Sequence, residues 1–169
     1  MIRSSITKIK INFKGREVTA HKLTVASEIP MDIETAWAKV LTSALLNFVV
    51  KGKVTFNPTG GKFPERWEEG STVTTKMKIY GFIPMGGLHT LFFEKIDNIN
   101  KVLQTREWDN SAQVWDHNIS MKKISINSIY YKDEVIIYAG MMTGFISFWA
   151  KSFYTHRQKR WQLLASSKI

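Results

Sequence analysis

Two stretches bring together residue types able to do chemistry: "QVWDHNISM" at 113 to 121 and "FWAKSFYTHRQKRW" at 148 to 161. Strand alternation in the first sets Trp115, His117, Ile119 and Met121 on one face and Asp116, Asn118 and Ser120 on the other. The first face is the apolar one, so His117 is expected to point inward. An inward imidazole is either a hydrogen-bonded core group or a general acid or base. In the second stretch, a helical wheel of about 100° per residue gathers Phe145, Trp149, Phe153, Leu163 and Leu164, with Ile146 beside them. His156 and Arg160 fall inside that apolar stripe, while Ser147, Lys151, Gln158 and Gln162 fall opposite and Arg157 and Lys159 flank it as solvated cations. Burying His156 and Arg160 costs free energy unless each is paired. They are therefore either satisfied core groups or donors lining a cavity. Arg160 has a third option, snorkelling to water at the helix end.

Other chemistry is missing. The chain has no cysteine, and no GxSxG, GxGxxG, Walker A or HExxH pattern. Its four histidines, His21, His89, His117 and His156, are widely spaced, and neither a metal nor a cofactor is expected. The carboxylate pairs Glu68 with Glu69 and Asp133 with Glu134 are adjacent, so strand geometry sends their members to opposite faces, and they read as solvated.

Positioning these groups requires particular elements. Alternation in "TKIKINF" and "HKLTVASEI" around "KGRE" predicts an N-terminal hairpin, ended by Pro30. Asp32 caps a helix or pair of short helices in which Ile33, Trp37, Val40, Leu41 and Ala44 share a face. From Lys53 to Gly140, turn signals separate about six strands, whose short connections predict antiparallel pairing. One of them, "GFIPMGG" at 81 to 87, places Phe82, Ile83 and Met85 at a loop tip flanked by glycines. Such a loop either folds over a pocket mouth or acts as a mobile gate touching ligand, partner or membrane. After Gly140 one long helix runs to about Ala165. The order predicts an α+β fold: an antiparallel sheet of about six to seven strands curled around a C-terminal helix, with a short helix pair after the first strand.

Length and composition fit one domain over 1–169. Apolar residues make up 44% and charged residues 22%, which excludes a disordered or fibrous class. No window approaches a membrane span, so a cytoplasmic protein is expected, with peripheral membrane contact left open. The net charge of +10 is carried by the ends: residues 1–22 hold six Lys/Arg against one acid, and residues 151–169 hold five against none. Solvated termini are the simpler explanation, with binding of nucleic acid or anionic membrane as the alternative.

"EIPMDIETAW", "WEEG" before a strand, "VWDHNISM", "YKDEVIIYAG" and "FWAKSFYTHRQKRW" occur in an order that resembles the START-like, polyketide cyclase and birch-allergen superfamily, SRPBCC, from about His21 to Leu164. The resemblance implies a helix-grip fold enclosing a hydrophobic cavity. A Trp-x-His strand motif would fall on Trp115 and His117, and an Arg-Gln-x-x-Trp helix ending on Arg157, Gln158 and Trp161. Residues 1–20 extend beyond that pattern as an extra strand, hairpin or oligomer contact. The expected function is binding of a small lipid-like or aromatic molecule, packed on Trp115, Met121, Phe145 and Trp149 and oriented by His117, His156 and Arg160. The alternative is a cyclase or aromatase using His156 or His117 as acid or base.

Overall fold

The computed structural model describes residues 1 to 167. Eight antiparallel strands form one curved sheet: β1 (Arg3–Phe13), β2 (Arg16–Ile29), β3 (Val54–Pro58), β4 (Thr72–Ile79), β5 (Ile83–Asp97), β6 (Val102–Trp108), β7 (Val114–Ser125) and β8 (Ser128–Tyr138). Their spatial order is β1-β2-β8-β7-β6-β5-β4-β3. Helices α1 (Ile33–Val40) and α2 (Ser43–Val50) follow β2. A single 3₁₀ turn then leads into α3 (Thr143–Ser166), which packs on the concave side and lies nearest β2. None of the described helices is long and apolar enough to cross a membrane.

The α+β class and the gripped helix agree with the sequence expectation, and the sheet has more strands than the six to seven expected. β3 runs to Pro58, inside what reads as a turn signal, because Asn57 and Pro58 pair with Lys76 and Thr75. "GFIPMGG" is also less of a loop than expected. Ile83 to Met85 belong to β5 and pair with Ile79 to Met77, and the register then jumps so that Lys76 faces Leu88. Gly86 and Gly87 take the extra length at φ of 66° and 71°, a region glycine enters freely.

Asp32 caps α1 as its position predicts, its carboxylate accepting from the Thr35 amide at 2.9 Å. Hydrogen bonding from Thr35, by its side chain and then its amide, holds the Asp32 carboxyl below its ordinary range. Asp32→Ala should lower stability by about 1 kcal/mol at neutral pH, measured as a shift in urea midpoint. The difference should shrink in acid, where protonation removes the acceptor from the parent protein as well.

The helical wheel requires correction. The face of α3 that meets the sheet is Ile146, Ser147, Ala150, Phe153, Tyr154, Gln158 and Trp161, while Phe145 is 67% exposed. Ser147 and Gln158, placed opposite by the wheel, are buried. Aromatic residues occur all around this helix, so their bulk does not mark a side. Close approach to β2 selects small residues and one amide whose hydrogen bonds the sheet can satisfy.

Candidate functional site

Period-two alternation on the four central strands delivers polar side chains to the concave face among apolar ones: His89 with Leu91 on β5, Thr105 and Glu107 with Leu103 on β6, His117 with Trp115 on β7, and Asp133 with Tyr131 on β8. Register aligns them, since Thr105 faces His117 and Glu107 faces Trp115 across the ladder. The result is a chain of buried polar groups, hydrogen-bonded in two separate clusters around His89 and Asp133. His89 bridges two carboxylates, with Nδ1 2.8 Å from Asp109 Oδ2 and Nε2 2.9 Å from Glu107 Oε2. Glu107 Oε1 accepts from Thr105 at 2.7 Å. His117 Nε2 lies 2.8 Å from Asp133 Oδ1. Gln158 of α3 donates to Asp133 Oδ2 at 2.9 Å and to the Val25 carbonyl at 2.7 Å, and accepts from Ser27 at 2.7 Å.

The electrostatics follow from this geometry. Burial alone would lower the pKa of His89, but its hydrogen bonds to Asp109 and Glu107 outweigh that and raise it to about 9. Burial likewise pushes the carboxyls up and is overcome: His89 holds Glu107 and Asp109 below their ordinary range, and His117 with Arg157 does so for Asp133. The carboxylate oxygens are all engaged. Two groups are not: His117 Nδ1 comes no nearer than 4.0 Å to Glu107 Oε1, and the Arg157 guanidinium makes no hydrogen bond among the described residues. The guanidinium lies over the rings of Tyr154 and Phe153 at 4.8 and 5.7 Å.

Between this chain, α2 and α3 lies a cavity in which the centre of a water molecule can reach about 90 Å³. One water needs on the order of 10–15 Å³ on that measure, so several waters or a small ring system fit. Trp149 and Phe153 wall it on α3, stacked 5.2 Å apart at 11°, and Leu45, Met77 and Met85 wall it elsewhere. His89, Glu107, His117, Asp133 and Arg157 form its polar side.

Of the residues singled out from sequence, Trp115, His117, Trp149 and Met85 meet here. The others do not. Met121 is buried but lies outside the lining, and Phe145 points to solvent. His156 hydrogen-bonds the Lys51 carbonyl at 2.9 Å and sits at a separate surface groove with Lys53, Phe148 and Lys159. Arg160 donates to the Phe48 carbonyl at 2.7 Å and covers the Phe48 ring. Phe82 and Ile83 are exposed at the β4–β5 tip. Conversely, Asp133, expected in water, is fully buried, and Arg157 rather than Arg160 turns toward the cavity. His89, Glu107 and Asp109 were not anticipated as site residues at all. The signal for His89 and Glu107 was the alternation that placed His117, applied to "LHTLFF" and "VLQTREW".

Gly86 supports the same chain from outside. A Cβ there would come 2.5 Å from Asp109 Cγ, and Asp109 is fixed by His89, Ser111 and the Ala112 amide. Gly86→Ala should therefore cost about 1–3 kcal/mol and loosen His89, measured by thermal unfolding and by the His89 ring resonances in NMR.

No protein-family model matches the chain, and no curated protein matches it in sequence. Solved structures do. A truncated norcoclaurine synthase from Thalictrum flavum superposes with a TM-score of 0.63 at 8% identity, covering 99% of this chain and 97% of that one. A START superfamily protein from Mycobacterium smegmatis gives 0.61 at 11%, over 88% and 99%. Major latex-like protein 151 from Panax ginseng gives 0.62 at 12%, over 86% and 97%. The fold is the START-like, SRPBCC helix-grip fold. Within this fold, β1 (Arg3–Phe13) pairs with β2 along its whole length.

Proposed function

We propose that the protein binds a small, mostly apolar molecule between the sheet and α3. Its ring or chain would pack on Trp115, Trp149 and Phe153, and its polar end would face His117 and Arg157. The observation that carries this reading is the Arg157 guanidinium, placed beside a cavity of apolar walls with its hydrogen-bonding capacity unused. Arg157 is half-buried, and an acceptor on a ligand would give its guanidinium a charge-assisted hydrogen bond shielded from water. Native mass spectrometry of gently purified protein should show a bound small molecule, or the emptied protein should take up 1-aminoanthracene saturably. Absence of both a co-purifying molecule and saturable uptake would sink the proposal.

A second reading is general-base chemistry on an enolisable ligand. It is favoured by His117, whose Nε2 is held 2.8 Å from Asp133 Oδ1 while Nδ1 has no hydrogen-bond partner among the described residues. Deuterium exchange into 2-tetralone, followed by NMR, tests it. Exchange should be faster with the protein than in buffer and should fall at least about ten-fold in His117→Gln. An unchanged rate in that variant would remove the role from His117.

A further inference from the structure

One end of the molecule combines exposed aromatics with cations. The β4–β5 tip carries Phe82, 73% exposed, with Ile83 beside it. The 3₁₀ turn before α3 carries Met141 and the outer stripe of α3 carries Phe145 and Phe148; all three are exposed, Phe148 at 72%. Lys53 ties the two together: its Nζ lies 3.5 Å from Tyr80 Oη at the tip and 3.1 Å from Ser152 Oγ, one turn beyond Phe148. The β1–β2 turn, with Lys14 and Arg16, reaches the same end, since the Phe13 ring packs 5.2 Å from Tyr138, just before α3.

Charge is segregated to match. Residues 35–64, 70–93 and 135–167, which build this end and the elements behind it, contain no aspartate or glutamate. Lys53, Lys76, Lys78 and Lys151 lie within them. The one exposed acid nearby, Glu17, pairs with Lys10 at 3.5 Å. Asp32, Glu34, Glu65, Glu68, Glu69 and Asp97 gather around the start of α1 and the β5–β6 turn, at the opposite end of the strands, where Lys101 bonds Glu34 and Glu69 bonds the Ile96 amide. The separation gives the molecule a charge axis that would orient it toward an anionic surface.

We infer that this end docks on an anionic lipid bilayer, with Phe82, Phe145 and Phe148 entering the interface and the lysines meeting headgroups. Exposed apolar side chains ringed by cations are what such binding requires. A second copy of the chain does not fit as the occupant: a two-fold contact would set these cations against themselves, with Glu17, already paired with Lys10, the one exposed acid to meet them. The charged surface is therefore not the chain termini as such, but a face assembled from β3, β4, the β1–β2 turn and α3. Because the same end contributes Met85, Ser111 and Trp149 to the cavity lining, docking would bring the cavity close to the bilayer. The docking surface stands independently of the ligand reading, since Phe82, Phe145 and Phe148 lie outside the lining.

Co-sedimentation of the full chain with vesicles tests this. Vesicles of phosphatidylcholine with phosphatidylglycerol should bind it at low salt, those of phosphatidylcholine alone should bind it weakly, and added salt should release it. Phe145→Ser combined with Phe148→Ser should weaken binding at least about ten-fold, and Phe82→Ser should weaken it in the same sense. Ile124→Ser with Ile126→Ser, exposed at the opposite end, should leave it unchanged. These side chains are solvent-facing, and an unchanged melting temperature confirms that the variants fold. No binding to phosphatidylglycerol vesicles at low salt would overturn the inference. So would equal losses at the two ends, tighter binding of an RNA oligomer than of vesicles, or light scattering that shows a dimer abolished by the phenylalanine variants. Retained uptake of 1-aminoanthracene by the phenylalanine double variant would separate loss of docking from loss of ligand binding.

Discussion

His89→Ala is expected to destabilise the protein by about 3–5 kcal/mol at neutral pH, enough to unfold a large share of it. The substitution leaves Glu107 and Asp109 buried with no cation between them, and Thr105 and Ser111 can compensate only by hydrogen bonding. The pH dependence identifies the cause. The folded-state pKa of His89 is raised from 6.5 to about 9. Its charged form thus adds stability that is fully present below pH 6.5 and is lost as pH rises through about 9, a contribution on the order of 3 kcal/mol. The deficit of the variant should therefore be greatest near neutrality and shrink above pH 9, where the parent protein has lost the charge too. It should also shrink in acid, because Glu107 and Asp109 have lowered pKa values and their contribution disappears as pH falls through them. Urea midpoints across this range provide the measurement. A deficit independent of pH would show that His89 acts only by filling space.

Asp133→Ala is the second large effect, again on the order of 3–5 kcal/mol. Asp133 receives His117 at 2.8 Å, Gln158 at 2.9 Å and the Tyr131 hydroxyl at 3.4 Å, and it is the carboxylate that lowers the cost of burying Arg157. Alanine would strand all of these groups among apolar side chains. Asp133→Asn should recover part of the loss, since an amide oxygen can still accept from His117 but offers Arg157 no charge. Gln158→Leu is the informative comparison. It removes a helix-to-sheet tie while sparing the His117 bond, so it should cost less and leave His117 in place. Thermal unfolding gives the magnitudes, and the His117 ring resonances show whether its orientation survives. Equal stability of Asp133→Ala and the parent protein would mean that water or neighbouring groups already satisfy His117 and Arg157.

The elements of this fold were legible because each rests on local rules. Alternation marks β2, β7 and β8, the Pro30–Asp32 pair marks the start of α1, and the change of period after Gly140 marks α3. His117 and Trp115 were legible for the same reason, since a strand has only two faces and the apolar set identifies the inner one. The same alternation would have placed Glu107 beside Leu103 and Asp133 beside Tyr131. A carboxylate on an apolar face reads as solvated when its partner lies on another strand, and nothing local announces His89 as the counter-charge 18 residues from Glu107. "GFIPMGG" failed differently, because glycines that signal a loop here absorb a register shift within a strand.

By itself the sequence determined the α+β order, the capped helix pair, the long final helix and the inward direction of Trp115 and His117. These depend on interactions within a few residues or on the fixed period of a strand. Only the tertiary structure decided which face of "FWAKSFYTHRQKRW" is buried. Six bulky aromatics spread around α3 give no preferred side, so the choice falls to what the sheet can accommodate. β2 accepts the amide of Gln158 through Ser27 and the Val25 carbonyl, Ser147 and Ala150 are buried along the same helix, and rotating the helix to seat them turns Arg157 toward the cavity. The same rotation carries His156 to the Lys51 carbonyl and leaves Phe145 and Phe148 facing outward among cations. The orientation of one helix thus separates the groups that face the interior from those that face outward, and it is set by close packing over distances that no local pattern encodes.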